Sequence, residues 1–188
     1  MNVFVLCTGR CGSTTFIEAA KHIDNFTAAH ESRTMFAGNE RFSYPLNHIE
    51  ADNRLSWLLG RLDLYIGADA YYVHLQRDLL ATSQSFIHRW NYGIMKAYHT
   101  EILMGADKIE KVKEEKLLYC MDYCETVNAN ITLFLRDKPH KMDFRLECAE
   151  RDWRRFWNWI GAEGNQEKAL NEWKIKHNAR KSTLDYPN

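Results

Sequence analysis

The run Val3-Phe4-Val5-Leu6-Cys7 leads without a break into Thr8-Gly9-Arg10-Cys11-Gly12-Ser13-Thr14-Thr15. The apolar run reads as a strand buried on both faces, the kind found inside parallel sheets. Beyond the loop, Phe16, Ile17, Ala20 and Ile23 recur at helical spacing. Strand, glycine-containing loop, helix is the opening of an α/β nucleotide fold. This start constrains the rest of the chain. It calls for further parallel strands and for helices on both faces of the sheet.

The remaining pattern supplies them. Leu55, Leu58, Leu59 and Leu62 form one stripe and predict a helix from Asn53 to Tyr65. Ala70 to Leu75 reads as a second strand, which passes through Gln76-Arg77-Asp78 into a helix marked by Leu80, Ser83, Phe86, Ile87 and Trp90. One long helix is expected from Lys108 to Asp137. The rival reading makes Ile131 to Leu135 a strand, but the helical periodicity runs through it. Met142 to Leu146 is a candidate last strand, and Trp153, Phe156, Trp157 and Ile160 mark an amphipathic helix ended by Gly161. No repeat or linker interrupts the chain, so residues 1–188 are expected to form a single α/β domain with a short parallel sheet flanked by helices.

Composition narrows the function classes. The chain carries 25 Lys+Arg against 25 Asp+Glu, without the basic excess of a general nucleic-acid binder. Five cysteines lack framework-like spacing, so a disulfide scaffold is not expected and a reducing compartment is. No apolar run approaches the roughly 20 residues that cross a bilayer, and Met1 to Cys7 has no basic n-region or long h-region. These features predict a cytoplasmic protein with no membrane span. Cys120 and Cys124, one helical turn apart, read as core thiols. The Trp153, Trp157 and Trp159 group reads as packing, and the Lys108 to Lys116 charge run as a solvated helix face.

The loop after the first strand is where chemistry is expected. A strand-to-helix loop turns backbone N–H groups and the positive end of a helix dipole toward one point, which suits an anion. Gly9 and Gly12 allow close backbone approach. Ser13, Thr14 and Thr15 add hydroxyls, and Arg10 adds a planar cation matched to phosphate or sulfate. The bland alternative is a tight turn with a surface Arg. The loop is not a Walker A motif, because it lacks the Lys, and this disfavours an ordinary ATPase or GTPase. A second cluster follows the second strand. Arg77 at its end and Ser85 two turns into the next helix can face one crevice. Arg89, one turn further, can join them. Taken singly, Arg77 also reads as a surface salt bridge and Ser85 as a helix-face hydroxyl.

Cys7 to Phe16 resembles the 5′-phosphosulfate loop of sulfotransferases, which reads roughly Pro-(Arg/Lys)-Ser-Gly-Thr-Thr. Tyr72 to Asp78 with Ser85 resembles the family's 3′-phosphate site, where a strand ends in Arg-Asp and a Ser lies eight positions after the Arg. Phe144 to Glu147 and Phe156 to Gly161 resemble its closing strand and helix. The stretch from Phe36 to Ala68 matches no part of the family pattern. The resemblance implies a P-loop-like sulfotransferase fold. It also implies 3′-phosphoadenosine 5′-phosphosulfate (PAPS) as donor, 3′,5′-diphosphoadenosine as product, and no metal. On this reading Arg10, Cys11, Gly12, Ser13, Thr14 and Thr15 hold the phosphosulfate, and Arg77, Ser85 and Arg89 the 3′-phosphate. Arg180 and Lys181 correspond to a C-terminal segment that folds over the nucleotide in many members, although a solvated tail reads equally well. Cys11 stands where the family has Ser or a similar residue.

The acceptor hydroxyl then needs a general base. In sulfotransferases resembling the tyrosylprotein branch, a Glu lies shortly after the first helix, and here Glu31 occupies that place. His30 is the reserve, since a neutral imidazole also suits this task near pH 7. The alternative for Glu31 is a loop carboxylate paired with Arg33. The expected site lies at the carboxyl ends of the first two strands. The expected acceptor is a carbohydrate or small molecule, with a peptide tyrosine also open, and its specificity is expected in the loops Ser32–Asp52 and Tyr92–Lys108. Oligomeric state cannot be read.

Two other classes compete. The segment Val5 to Ser13 faintly resembles the loop of low-molecular-weight phosphatases and arsenate reductases, with Cys7 as nucleophile. There the loop ends in Cys-Arg-Ser, but Gly12 takes the Arg place here. A non-catalytic nucleotide-binding module would bind the desulfonated nucleotide and turn nothing over, and a base within reach of the anion site argues against it.

Overall fold

β1 spans Asn2–Leu6, and Val3 to Leu6 are fully buried, as a run apolar on both faces requires. It sits in the middle of the sheet in the computed structural model, which describes residues 1–104, 113–175 and 177. The other strands are β2 (Thr27–His30), β3 (His48–Ala51), β4 (Tyr71–Gln76) and β5 (Lys141–Arg145). Among the described residues the five strands form one sheet in the order β2-β3-β1-β4-β5, every pairing parallel.

The alternation of β1 divides the core. Val3 and Val5 face a cluster completed by α1 (Ser13–Ala20), α6 (Ala149–Ile160) and α7 (Gln166–Glu172). Phe4 and Leu6 face a second cluster with α2 (Leu59–Tyr65), α3 (Leu79–Ile87), α4 (Gly93–Ala97) and α5 (Lys113–Leu135). The chain is therefore an α/β protein with helices on both faces of a parallel sheet.

The chain leaves the C-terminal end of β1 for α1 on one face, and leaves β4 for α3 on the other. β1 and β4 are neighbours, so their loops diverge and open a crevice between them, the usual ligand position in such sheets.

The structure corrects several expectations. The second strand expected at 70–75 is the fourth in sequence, because β2 and β3 precede it. β3 lies inside the segment expected to be the specificity loop Ser32–Asp52. The single helix expected from Asn53 to Tyr65 breaks at Leu58 into a 3₁₀ turn over Asn53–Trp57 and then α2. Asp52 caps that turn by accepting from Arg54 N–H, and Ser56 Oγ donates to the Cys7 carbonyl. α5 runs through Ile131 to Leu135, so that segment is helical as the periodicity indicates. Cys120 and Cys124 are buried, and burial pushes both thiols up to about 12. Trp153 and Trp157 are core residues of α6. Residues 105–112 of the expected long helix lie outside the described residues. No helix among the described residues is long and apolar enough to cross a membrane.

Candidate anion-binding site

The loop from Cys7 to Gly12 is held by its carbonyls. Ser56 Oγ donates to Cys7 O at 3.0 Å, Tyr123 OH to Thr8 O at 2.7 Å, and Thr8 Oγ1 to Gly9 O at 2.8 Å. Arg77 Nη1 donates to Arg10 O at 3.1 Å. A peptide plane points its N–H opposite its carbonyl, so these four bonds fix the direction of the loop amides. Gly9, Arg10 and Gly12 have φ of 83°, 59° and 97°. These left-handed positions fold the backbone into a concave turn of the anion-binding kind. Packing closes the turn from outside. A Cβ at Gly9 would lie 2.6 Å from Asn53 Nδ2, and one at Gly12 would lie 2.8 Å from Leu146 Cδ1.

Gly12 is the N-cap of α1, whose first turn carries no acidic residue. Ser13, Thr14 and Thr15 form the first turn of α1, directly after the loop, where a helix presents its positive end. Ser13 and Thr15 are buried.

Three arginines meet here. Arg10 Nε donates to Ser85 Oγ at 3.0 Å, which ties the first loop to α3. Burial, then the charges of Arg89 and Arg77, pull Arg10 below the ordinary guanidinium value. Among the described residues no carboxylate pairs with Arg10, Arg77 or Arg89. Like charges held together beside a helix N-terminus are the arrangement that suits an anion.

His30 ends β2 beside this loop, and Glu31 follows it. Ser13 Oγ lies 3.0 Å from His30 Nε2. Glu31 has φ of 52°, and its carboxylate accepts from Arg54 Nη1 at 2.6 Å rather than from Arg33. Arg33 instead donates to Glu40 O and lies over the rings of Phe36 and Tyr44.

The structure thus brings together Arg10, Gly12, Ser13, Thr14, Thr15, Arg77, Ser85 and Arg89, with His30 joined to them through Ser13. Cys11 lies beneath the loop, fully buried, with its thiol pulled down by a hydrogen bond from Cys7. Arg180 and Lys181 lie outside the described residues. Sequence reasoning missed Asn53 and Arg54. Their only signal is Asp52 before them, a turn-capping residue at the end of a short alternating run.

Cys7 is fully buried, and its thiol is pushed well up, first by the hydrogen bond with Cys11 and then by burial. A reactive cysteine needs the opposite surroundings. No family model matches the chain, and no curated protein matches it.

Proposed function

We propose that this chain is a sulfotransferase that moves a sulfuryl group from PAPS to an acceptor hydroxyl, within the sulfotransferase variant of the P-loop-like fold and in the cytoplasm. The observation that carries this reading is the Arg10–Ser85 hydrogen bond of 3.0 Å, with Arg77 on the Arg10 carbonyl. It joins two stretches that are far apart in sequence and that separately resemble the phosphosulfate loop and the 3′-phosphate site. Three arginines with no carboxylate partner among the described residues, and a helix N-terminus, suit a donor with a phosphosulfate at one end and a phosphate at the other.

PAPS supplies an activated sulfuryl group and a nucleotide leaving group. Sulfuryl transfer resembles phosphoryl transfer, in which the protein mainly positions groups and neutralises charge. Arg10 faces the charge that grows on the leaving oxygen. The amides and hydroxyls from Gly12 to Thr15 orient the phosphosulfate. Arg77, Ser85 and Arg89 bind the 3′-phosphate. Glu31 takes the acceptor proton, and Arg54 fixes its orientation. The Ser13–His30 contact favours a second reading, in which His30 is the base. The acceptor class is a carbohydrate or small metabolite, with a peptide tyrosine as the variant.

Calorimetric titration with 3′,5′-diphosphoadenosine, against AMP and ATP, tests the reading. Binding should depend on the 3′-phosphate. Arg77→Ala removes charged hydrogen bonds worth roughly 1.5–3 kcal/mol and should weaken binding about tenfold to a hundredfold. Equal affinity for AMP, or an Arg77→Ala variant that binds normally, sinks the assignment.

A further inference from the structure

β5 is an edge strand, and the side of it away from β4 carries no strand among the described residues. Tyr72 N–H donates to His140 O at 2.9 Å, which sets the alternation of the β4–β5 ladder. His140, Met142 and Phe144 turn their backbone groups to β4, and Lys141, Asp143 and Arg145 turn theirs outward. Asp152 Oδ2 accepts from Arg145 N–H at 3.0 Å and closes that end. Among the described residues no backbone group pairs with the outward groups of Lys141 and Asp143, which are left for another strand.

A groove of about 1390 Å³ runs along this edge, between α5 and α6. That exceeds the roughly 300–1,000 Å³ of a small-ligand pocket and suits an extended occupant. Leu133 and Ala129 of α5 and Trp159 of α6 give it apolar walls. Arg136, Lys141 and Arg155 also line it with Asp143, and Arg136 and Arg155 reach Asp137 and Asp152 at 3.6 and 3.4 Å. Leu133 is 60% exposed, an apolar side chain left in water at an open sheet edge.

We propose that the β5 edge is a docking groove for an extended acidic peptide, which adds to the sheet as a further parallel or antiparallel strand. Main-chain bonds to Lys141 and Asp143 supply pairing, alternate apolar side chains meet Leu133 and Trp159, and acidic ones meet the arginines. Lys141, together with Arg136 and Arg155 held only at 3.6 and 3.4 Å by their carboxylates, selects an acidic partner over a basic one or a second copy of this neutral chain. This groove is independent of the anion site and of the activity proposed for it.

Fluorescence anisotropy with a short labelled peptide of alternating Glu and Val tests the proposal on the full chain. Saturable binding is expected, weakened about tenfold by Arg136→Glu or Arg155→Glu and strengthened by Asp143→Asn. Circular dichroism melts check that the variants fold. The same peptide N-methylated on alternate amides should not bind, nor should a Lys-Val peptide. No binding, equal binding of the methylated or basic peptide, or indifference to both Arg variants overturns the proposal. So does a dimer in sedimentation that Arg136→Glu leaves intact and that excludes the peptide.

Discussion

At the residue scale the open choice is between two neighbours, Glu31 and His30. Glu31 is held in a left-handed conformation with its carboxylate on Arg54, whereas His30 reaches the loop directly through Ser13. An arginine partner aims a carboxylate, which suits a base that must meet one proton. Glu31→Gln should keep nucleotide affinity and slow turnover by about a hundredfold or more. His30→Gln keeps a hydrogen-bonding group for Ser13 and should slow it far less. The reverse order, measured by transfer from labelled PAPS, would move the proton to His30. Arg54→Ala should fall between, because it loosens Glu31 without removing it.

At the element scale the loop depends on a contact that its own sequence does not contain. Gly9 sits at φ 83°, with Asn53 against the place a side chain would take. Gly9→Ala therefore carries two penalties: a left-handed conformation costing roughly 1–2 kcal/mol and a clash with Asn53. Asn53→Ala opens the space and loses little, because Asn53 Oδ1 is buried with no hydrogen-bond partner among the described residues. In urea unfolding, Gly9→Ala should lower the midpoint, and the double variant should recover part of the loss. No recovery would mean that backbone strain alone decides the site. The same contact explains what was legible in the sequence. The Arg10 loop and the Arg77–Ser85 pair each lie within one strand-loop-helix unit, so local pattern sufficed to find both. β2 and β3 were not legible. Thr27-Ala28-Ala29-His30 has weak strand propensity, and β3 buries His48 and Glu50, which a polar pattern does not announce. They are buried because they satisfy each other at 3.0 Å, and because Thr27 meets His48 and Ser32 meets Glu50. The Thr27–His48 and Ser32–Glu50 bonds exist only once the strands pair, and the Glu31–Arg54 bond and the approach of Asn53 to Gly9 likewise join segments far apart in sequence.

At the scale of the whole molecule, the sheet and α5 are joined through a buried histidine. His74 of β4 lies 3.1 Å from Asn128 Oδ1 of α5, and Gln76 Nε2 lies 2.9 Å from its Nδ1. This pair suits the neutral ring, with Nε2–H donating and Nδ1 accepting. Burial pulls His74 below its ordinary value of 6.5, against the hydrogen bond to Asn128 and the Asp143 charge, which favour the cation. The unfolded chain therefore binds the proton more readily than the folded one. Stability is full above about pH 6.5 and falls as the pH drops below it, until the folded ring is itself protonated. Thermal melts from pH 8 to pH 5 should show this loss, and His74→Gln, which carries no charge, should flatten its slope while costing some stability at every pH. An unchanged slope would place the titration elsewhere, on the remaining histidines or the carboxylates. A protonated Nδ1 cannot accept from Gln76, so protonation breaks the His74–Gln76 bond on β4, while the Arg10 loop is pinned separately by Ser56, Tyr123 and Arg77. Acid should thus lower the melting temperature before it lowers affinity for a 3′-phosphorylated nucleotide.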